Sequence, residues 1–257
     1  MLQVKAAGSV ATIILDRSKR CNAISREMLG RISDALSDLH QEKKIRSVIL
    51  TAAGSTFCSG ADLQEWHETL DSRQALQQWH EDMNEFRELI ETMLRFPKPL
   101  IAAVDGQALG IGFGLVLACD LVVGSHRLQF GLPAPRRGLV SGLVAPLLAF
   151  RVGAATASRL LLGDDSIDSQ EAYRLGLAHH LVEPDMVWVR AQQWGEKLSA
   201  CAPESQLLTK RLLNEVIGEQ LMTWLAGGAA IAATACTTEA ASEGLKSFVE
   251  KRDPKFS

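Results

Sequence analysis

The chain has 257 residues, 47% of them apolar and 22% charged, with a formal net charge of −3. Those values fit one globular core with an appendage and speak against a nucleic acid or an anionic membrane as the main partner. The cysteines Cys21, Cys58, Cys119, Cys201 and Cys236 are scattered and never spaced C-x-x-C, which argues against a zinc site or disulfide framework and for a reducing cytoplasm.

The start, Met-Leu-Gln-Val-Lys, has no basic segment followed by an apolar run, so no signal peptide is expected. Leu2–Lys5 and Ala11–Asp16, separated by Gly8, predict a hairpin. Ser25 caps a helix through about Gln41, with Met28, Ile32, Ala35, Leu36 and Leu39 as its apolar stripe. Ser47–Thr51 is a β-branched run that predicts a buried strand, followed by a loop over 52–60 and a helix start near Ala61–Leu63. A long amphipathic helix covers 73–95 and ends at Pro97 and Pro99.

Leu100–Val104 predicts the next strand and Leu109–Ala118 the next helix. The most apolar stretch, Gly106 to Cys119, holds fourteen uncharged residues, short of the roughly 20 of a membrane span. Short strands are expected at Leu121–Gly124 and Leu128–Phe130. Past Gly138 the pattern is mainly helical, over 143–151, 154–161, 168–174, 187–200, 203–216, 220–240 and 242–251. An α/β core over 1–195 carrying a helical region over 196–257 follows from this order. The small residues Gly227-Gly228-Ala-Ala-Ile-Ala-Ala-Thr-Ala suit either a subunit contact or close packing within the chain.

Two stretches carry chemistry. Phe57-Cys-Ser-Gly-Ala-Asp-Leu63 is a strand end entering a small-residue loop, and Ile101-Ala-Ala-Val-Asp-Gly-Gln-Ala-Leu-Gly-Ile-Gly-Phe-Gly114 is a strand, glycine turn and helix start. The second is not a dinucleotide fingerprint, because G-x-G-x-x-G needs glycine where Leu115 stands. Glycines between strand and helix instead let backbone approach a ligand, and free N–H groups of a first helical turn favour developing negative charge. Two such amides on one oxygen make an oxyanion hole; tight turns needed only for packing are the alternative.

With Arg17-Ser-Lys-Arg-Cys-Asn-Ala-Ile24, Cys119-Asp120, Phe130-Gly-Leu-Pro133 and Glu243-Gly-Leu-Lys-Ser-Phe-Val-Glu-Lys-Arg-Asp-Pro-Lys-Phe256 in the same order, the chain resembles the crotonase superfamily, the enoyl-CoA hydratase/isomerase family, nearly end to end. The resemblance implies a spiral of ββα units, a C-terminal helical trimerisation region and a homotrimer or dimer of trimers. It implies an acyl-CoA substrate, with no tightly bound cofactor and no metal; coenzyme A enters only as part of the thioester. The oxyanion donors map to the N–H groups of Ala61 and Ile111. Cys21–Ala23, the segment Ser59, Gly60, Asp62 and Leu63, and the glycine Gly110 map to substrate contacts. Lys251 is either a contact to the coenzyme phosphate or a solvated lysine.

The family's hydratase glutamates map to Gly114 and Ala134, so neither carboxylate is present. A positioned acid or base contributes roughly 10²–10⁴-fold in rate, which disfavours the usual two-glutamate hydration. His67, Glu81 and Ser141 are the replacement candidates. Arg136 and Arg137 are candidates for recognising an acyl carboxylate, or else surface ion-pairing residues. His179 and Asp120 are expected to be structural.

Overall fold

The computed structural model describes every residue except Asp164 and Ser257 and the side chain of Ile217. β1 (Leu2–Ala7) and β2 (Val10–Leu15) pair antiparallel through a turn at Gly8, whose φ is +63°. From β2 the sheet runs parallel through β3 (Ser47–Ala52), β5 (Leu100–Val104), β7 (Leu121–Ser125) and β10 (His180–Val182). β2, β3 and β5 read as near-continuous apolar runs because both faces of the sheet are covered. One face meets the main core; the other packs Val10, Ile49, Ile101 and Val123 against Val187 and Ala191 of α7 (Val187–Ser199).

A second sheet is built from three-residue strands. β4 (Thr56–Cys58), β6 (Gln107–Leu109) and β8 (Gln129–Gly131) stack in parallel, and β9 (Ser166–Asp168) closes the edge antiparallel. Each turn of the chain gives one strand to each sheet and then a helix: β3, β4 and α2 (Leu63–Thr69), then β5, β6 and α4 (Ile111–Ala118). The spiral of ββα units is therefore present. The loop expected over 52–60 contains β4, and the expected glycine turn contains β6. Three residues are too few to show an alternation, and their partners lie a whole turn of chain away.

α1 (Arg26–Gln41) starts where expected: Ser25 Oγ accepts the Met28 N–H at 3.2 Å. α3 (Ala75–Arg95) buries Trp79, Met83, Phe86, Ile90 and Met93, one stripe at helical spacing. Each such side chain contributes about 1.5–3 kcal/mol on burial. Arg26 donates to both oxygens of buried Asp82 at 2.7 Å and to Thr69 Oγ1 at 3.0 Å, tying α1, α2 and α3 together. α4 is apolar on every side and buried almost throughout.

Past Gly138 the chain is less purely helical than its pattern suggests, since β9 and β10 interrupt it. α5 (Val144–Gly163) is broken at Gly153, whose φ of +78° and ψ of 159° are not helical, so the separate helices expected over 143–151 and 154–161 are both present. By length and composition α5 is long and apolar enough to cross a membrane, although Arg151 and Arg159 interrupt its run of uncharged residues; 28% of its most apolar stretch is buried within the molecule. α6 (Ser169–Arg174) precedes β10. α8 (Pro203–Arg211) continues as a π-helical turn over Leu212–Ile217, followed by α9 (Glu219–Ala235) and α10 (Glu239–Glu250). α9 rests on α3 and α5. Of the two glycines in the small-residue run, Gly228 meets the chain itself: a Cβ there would lie 2.0 Å from the Gly142 carbonyl oxygen.

Candidate active site

The two glycine loops meet. Gly60 has φ +105° and Gly110 has φ +51° with ψ −126°, conformations that a side chain opposes. A Cβ on Gly60 would stand 3.2 Å from the Leu109 carbonyl oxygen and 3.8 Å from the Ile111 nitrogen. Ile24 takes the backbone on either side of Ala61: its N–H donates to Gly60 O at 2.8 Å, and its carbonyl accepts from Asp62 N at 2.9 Å. In a parallel bridge that geometry turns the N–H of Ala61 to the opposite side. The Ile111 N–H heads α4, while Gly110 N–H is spent on Gly131 O at 2.9 Å. Among the described residues, neither Ala61 N–H nor Ile111 N–H has a protein acceptor. Two free amides on adjoining loops, one backed by a helix dipole, are suited to an oxygen that gains negative charge.

They open into a cleft lined mainly by apolar side chains with few polar groups, the usual make-up of a small-molecule site. Its floor is Ser59, Gly60, Ala61, Gly110 and Ile111. Leu63 and Trp66 of α2 and Met83 and Phe86 of α3 form one side. The opposite wall is Pro133, Ala134, Arg137 and the run Leu139 to Val144, with Ala232 of α9 behind it. Among the described residues, no carboxylate and no imidazole lines this cleft.

The two mapped glutamate positions differ. Ala134 is half-buried on the wall. Gly114 is buried outside the walls, and a Cβ there would meet Val144 Cγ2 at 3.2 Å and Ile111 Cδ1 at 3.3 Å. Even the first carbon of a side chain at 114 would need those two methyl groups to give way by a few tenths of an ångström.

Several expectations need correction. His67 is half-buried on α2 but lies outside the cleft walls, because it follows Trp66 and successive helical residues diverge by about 100°. The Asp62 carboxylate is already engaged: Arg17 binds it, and Gln64 N–H donates to it as the N-cap of α2. Cys21 and Ala23, mapped to contacts with the pantetheine and adenine parts of coenzyme A, stand outside the cleft lining, and the Cys21 carbonyl accepts from Ser59 N at 3.0 Å. Lys251 stands in a neighbouring recess with Arg137, Ser247, Phe248 and Arg252. Glu81 is exposed and hydrogen-bonded by Gln77 at 2.8 Å. Trp66 lines the cleft, whereas Trp79 is buried in the core.

Other expectations hold. Asp120 accepts the Leu100 N–H at 2.7 Å and buried Lys210 Nζ at 2.8 Å, anchoring α8 to the sheet. His179 Nδ1 accepts the Val122 N–H at 3.0 Å, and burial, with Arg151 nearby, lowers its pKa. Both are structural. Beneath the floor, burial pushes the Cys58 thiol up to about 12, so it stays a neutral packing group. In the sequence Met83 and Phe86 are apolar positions in the stripe of the long amphipathic helix, and Ala232 is one of the small-residue run. Nothing in such a stripe distinguishes a cleft wall from ordinary core.

The chain matches the family model for enoyl-CoA hydratase/isomerase over residues 5–257. A Thermus thermophilus homologue, provisionally named an enoyl-CoA hydratase, is 35% identical over 256 residues, spanning 100% of both chains. The short-chain-enoyl-CoA hydratase of Clostridium acetobutylicum is 30% identical, over 95% of this chain and 93% of its own. The crystal structure of an enoyl-CoA hydratase/isomerase from Xanthobacter autotrophicus Py2 superposes with a TM-score of 0.87 at 29% identity, covering 97% of this chain and 91% of that one.

Proposed function

The chain belongs to the enoyl-CoA hydratase/isomerase family, and on that premise we propose that it binds an acyl-CoA thioester and stabilises its enolate. The thioester oxygen accepts from Ala61 N–H and Ile111 N–H. The observation that carries the reading is the pairing, among the described residues, of two amides without a protein acceptor and a cleft with no carboxylate or imidazole on its walls.

Such a site suits a reaction whose first step needs no base. In decarboxylation of a malonyl-type thioester, the bond from the α-carbon to the carboxylate breaks and carbon dioxide leaves. Its electron pair passes into the thioester, and the enolate oxygen takes the charge between the two amides. Solvent then protonates the α-carbon. The amides contribute through charge that exists only after the bond has begun to break.

A second reading has one observation in its favour: the relative at 30% identity is named a hydratase, and the one at 35% is provisionally named one. Hydration here would require a base brought from outside the walls, such as His67 or Glu81. Steady-state assays with crotonyl-CoA, malonyl-CoA and methylmalonyl-CoA separate the two. Release of carbon dioxide with slow hydration supports the enolate reading; rapid hydration of crotonyl-CoA overturns it. In that event, alanine variants of His67 and Glu81 locate the substitute base. Binding of every thioester without turnover of any would make the chain an acyl-CoA-binding subunit.

Trimeric assembly, or a dimer of trimers, is part of the proposal. Leu208, Leu212, Leu213, Val216 and Trp224 are exposed apolar side chains on the C-terminal helical region. Sedimentation equilibrium tests it.

A further inference from the structure

The cleft wall carries one kind of charge in one place. Among the described residues, Arg137 is the sole charged side chain lining the cleft. Its guanidinium has no carboxylate partner among the described residues; it stands 5.3 Å from the centroid of the Phe248 ring. Arg136 beside it is exposed and lies off the wall.

The local backbone explains which of the two arginines faces inward. Pro135–Arg137 form a single 3₁₀ turn, closed by Arg137 N–H donating to Ala134 O at 2.9 Å. Residues three apart eclipse in a 3₁₀ turn, so Arg137 stands over Ala134 on the same face. The turn is also fixed from behind. A Cβ on Gly244 would lie 2.0 Å from Arg137 O, and one on Gly138 would lie 2.3 Å from the Ala240 carbonyl carbon. Backbone packs directly on α10 at both points, so the turn has little room to rotate.

The missing glutamate and the arginine are thus one feature. A carboxylate at position 134 would stand within reach of the guanidinium on the same face, neutralise it and repel an anionic acyl group. With alanine there, the guanidinium keeps its charge and its five donors. Phe248 supports it by a cation–π contact that leaves the edge donors free.

We propose that Arg137 makes the cleft selective for acyl thioesters that carry a second carboxylate on the acyl chain. This rests on the cleft being the acyl-CoA site. Arg137 acts on binding and orientation of that carboxylate, which a planar fork of donors matches in two parallel hydrogen bonds. A coenzyme phosphate is the other anion of the same ligand. The carboxylate is favoured because Arg137 shares its face and the cleft lining with Ala134; Arg137 also borders the recess of Lys251 and Arg252, so dephospho-CoA thioesters decide between the two anions.

Titration calorimetry of the full chain with succinyl-CoA and glutaryl-CoA, against butyryl-CoA and valeryl-CoA, tests the assignment. The expected ratio of affinities favours the carboxylated member of each pair about 10- to 100-fold, the range of a charge-assisted hydrogen bond. In R137Q the ratio falls to about 1; R137K keeps part of it. A134E brings it to 1 or below while keeping Arg137 itself. A wild-type ratio near 1 overturns the proposal, as does R137Q weakening both classes equally. If the R137Q effect disappears with dephospho-CoA thioesters, the anion is the coenzyme phosphate and the proposal falls. Failure of any acyl-CoA to bind the folded wild-type chain instead removes the acyl-CoA reading itself, and this assignment with it.

Discussion

On one side of the cleft the chain presents backbone; on the other it presents side chains. The Ser59–Ala61 and Gly110–Ile111 loops place two N–H groups through positive φ angles, a bridge to Ile24 and glycines in near contact. The wall from Pro133 to Val144 offers Ala134, Arg137, Ser141 and apolar groups. The first side is over-determined, since its conformation depends on the absence of Cβ atoms and on bonds to other strands. The second rests on the choice of residues. On the proposed reading, the chemistry belongs on the side made of backbone, and the choice of substrate on the side made of side chains.

The largest effect expected is at Gly60. Gly60→Ala combines φ +105° with a Cβ 3.2 Å from Leu109 O, and strain of this kind costs about 1–3 kcal/mol. Relief requires the Gly60 loop or the Leu109 carbonyl to shift, which displaces the neighbouring Ala61 or Ile111 amide. Turnover of the best thioester should fall about 10²- to 10³-fold, the loss typical of one oxyanion donor. Steady-state kinetics beside a thermal melt checks this. An unchanged kcat would mean that the floor is not the reacting face.

The next contrast is between the two glutamate positions. Gly114→Glu inserts a side chain against Val144 and Ile111 and buries its charge, so about 1–3 kcal/mol of stability should be lost to overpacking alone. Ala134→Glu sits on a half-buried wall beside Arg137 and should stay within about 0.5 kcal/mol. Denaturant midpoints of the two variants measure the difference. Equal costs would mean that the wall is as rigid as the floor.

The sequence speaks more fully about the floor than about the wall. The buried strands show as runs of Val, Ile, Leu and Ala, Ser25 marks the start of α1, and Gly60 and Gly110 mark turns no other residue makes easily. These are local signals. β4, β6 and β9 are short enough that only their neighbours define them. Met83, Phe86 and Ala232 reach the cleft from α3 and α9, and which apolar stripe meets a cavity is decided by tertiary packing. His67 and Asp62 show the same limit. Their residue types suit chemistry, but one helical step turns His67 away from the walls, and Arg17 occupies Asp62.

The buried thiols, Cys58 beneath the floor and two more at the ends of α4 and α9, give a pH test of how well the interior is sealed. Burial pushes Cys58, Cys119 and Cys236 up to about 12 from an ordinary 9.0. The folded chain then keeps these protons where the unfolded chain loses them. Stability they contribute is complete below pH 9 and is lost as pH rises toward 12. The melting temperature should fall over that interval, and the fall should be shallower in the triple alanine variant of the three. An identical slope would mean that water reaches the thiols.

The smallest effect separates the floor from its rim. Cys58 lies under the floor and is buried, whereas Cys21, whose carbonyl holds the Ser59 N–H, is exposed, as is Cys201. At pH 8 a chromogenic disulfide reagent should titrate two of the five thiols in the native chain and all five after denaturation. Cys21→Ser should reduce the native count by one without touching the floor, because the contact to Ser59 is made by backbone. A third native thiol reacting at the rate of Cys21 would place Cys58 within reach of solvent. The floor would then open on the timescale of the titration, and the contrast between a fixed floor and an adjustable wall would fail.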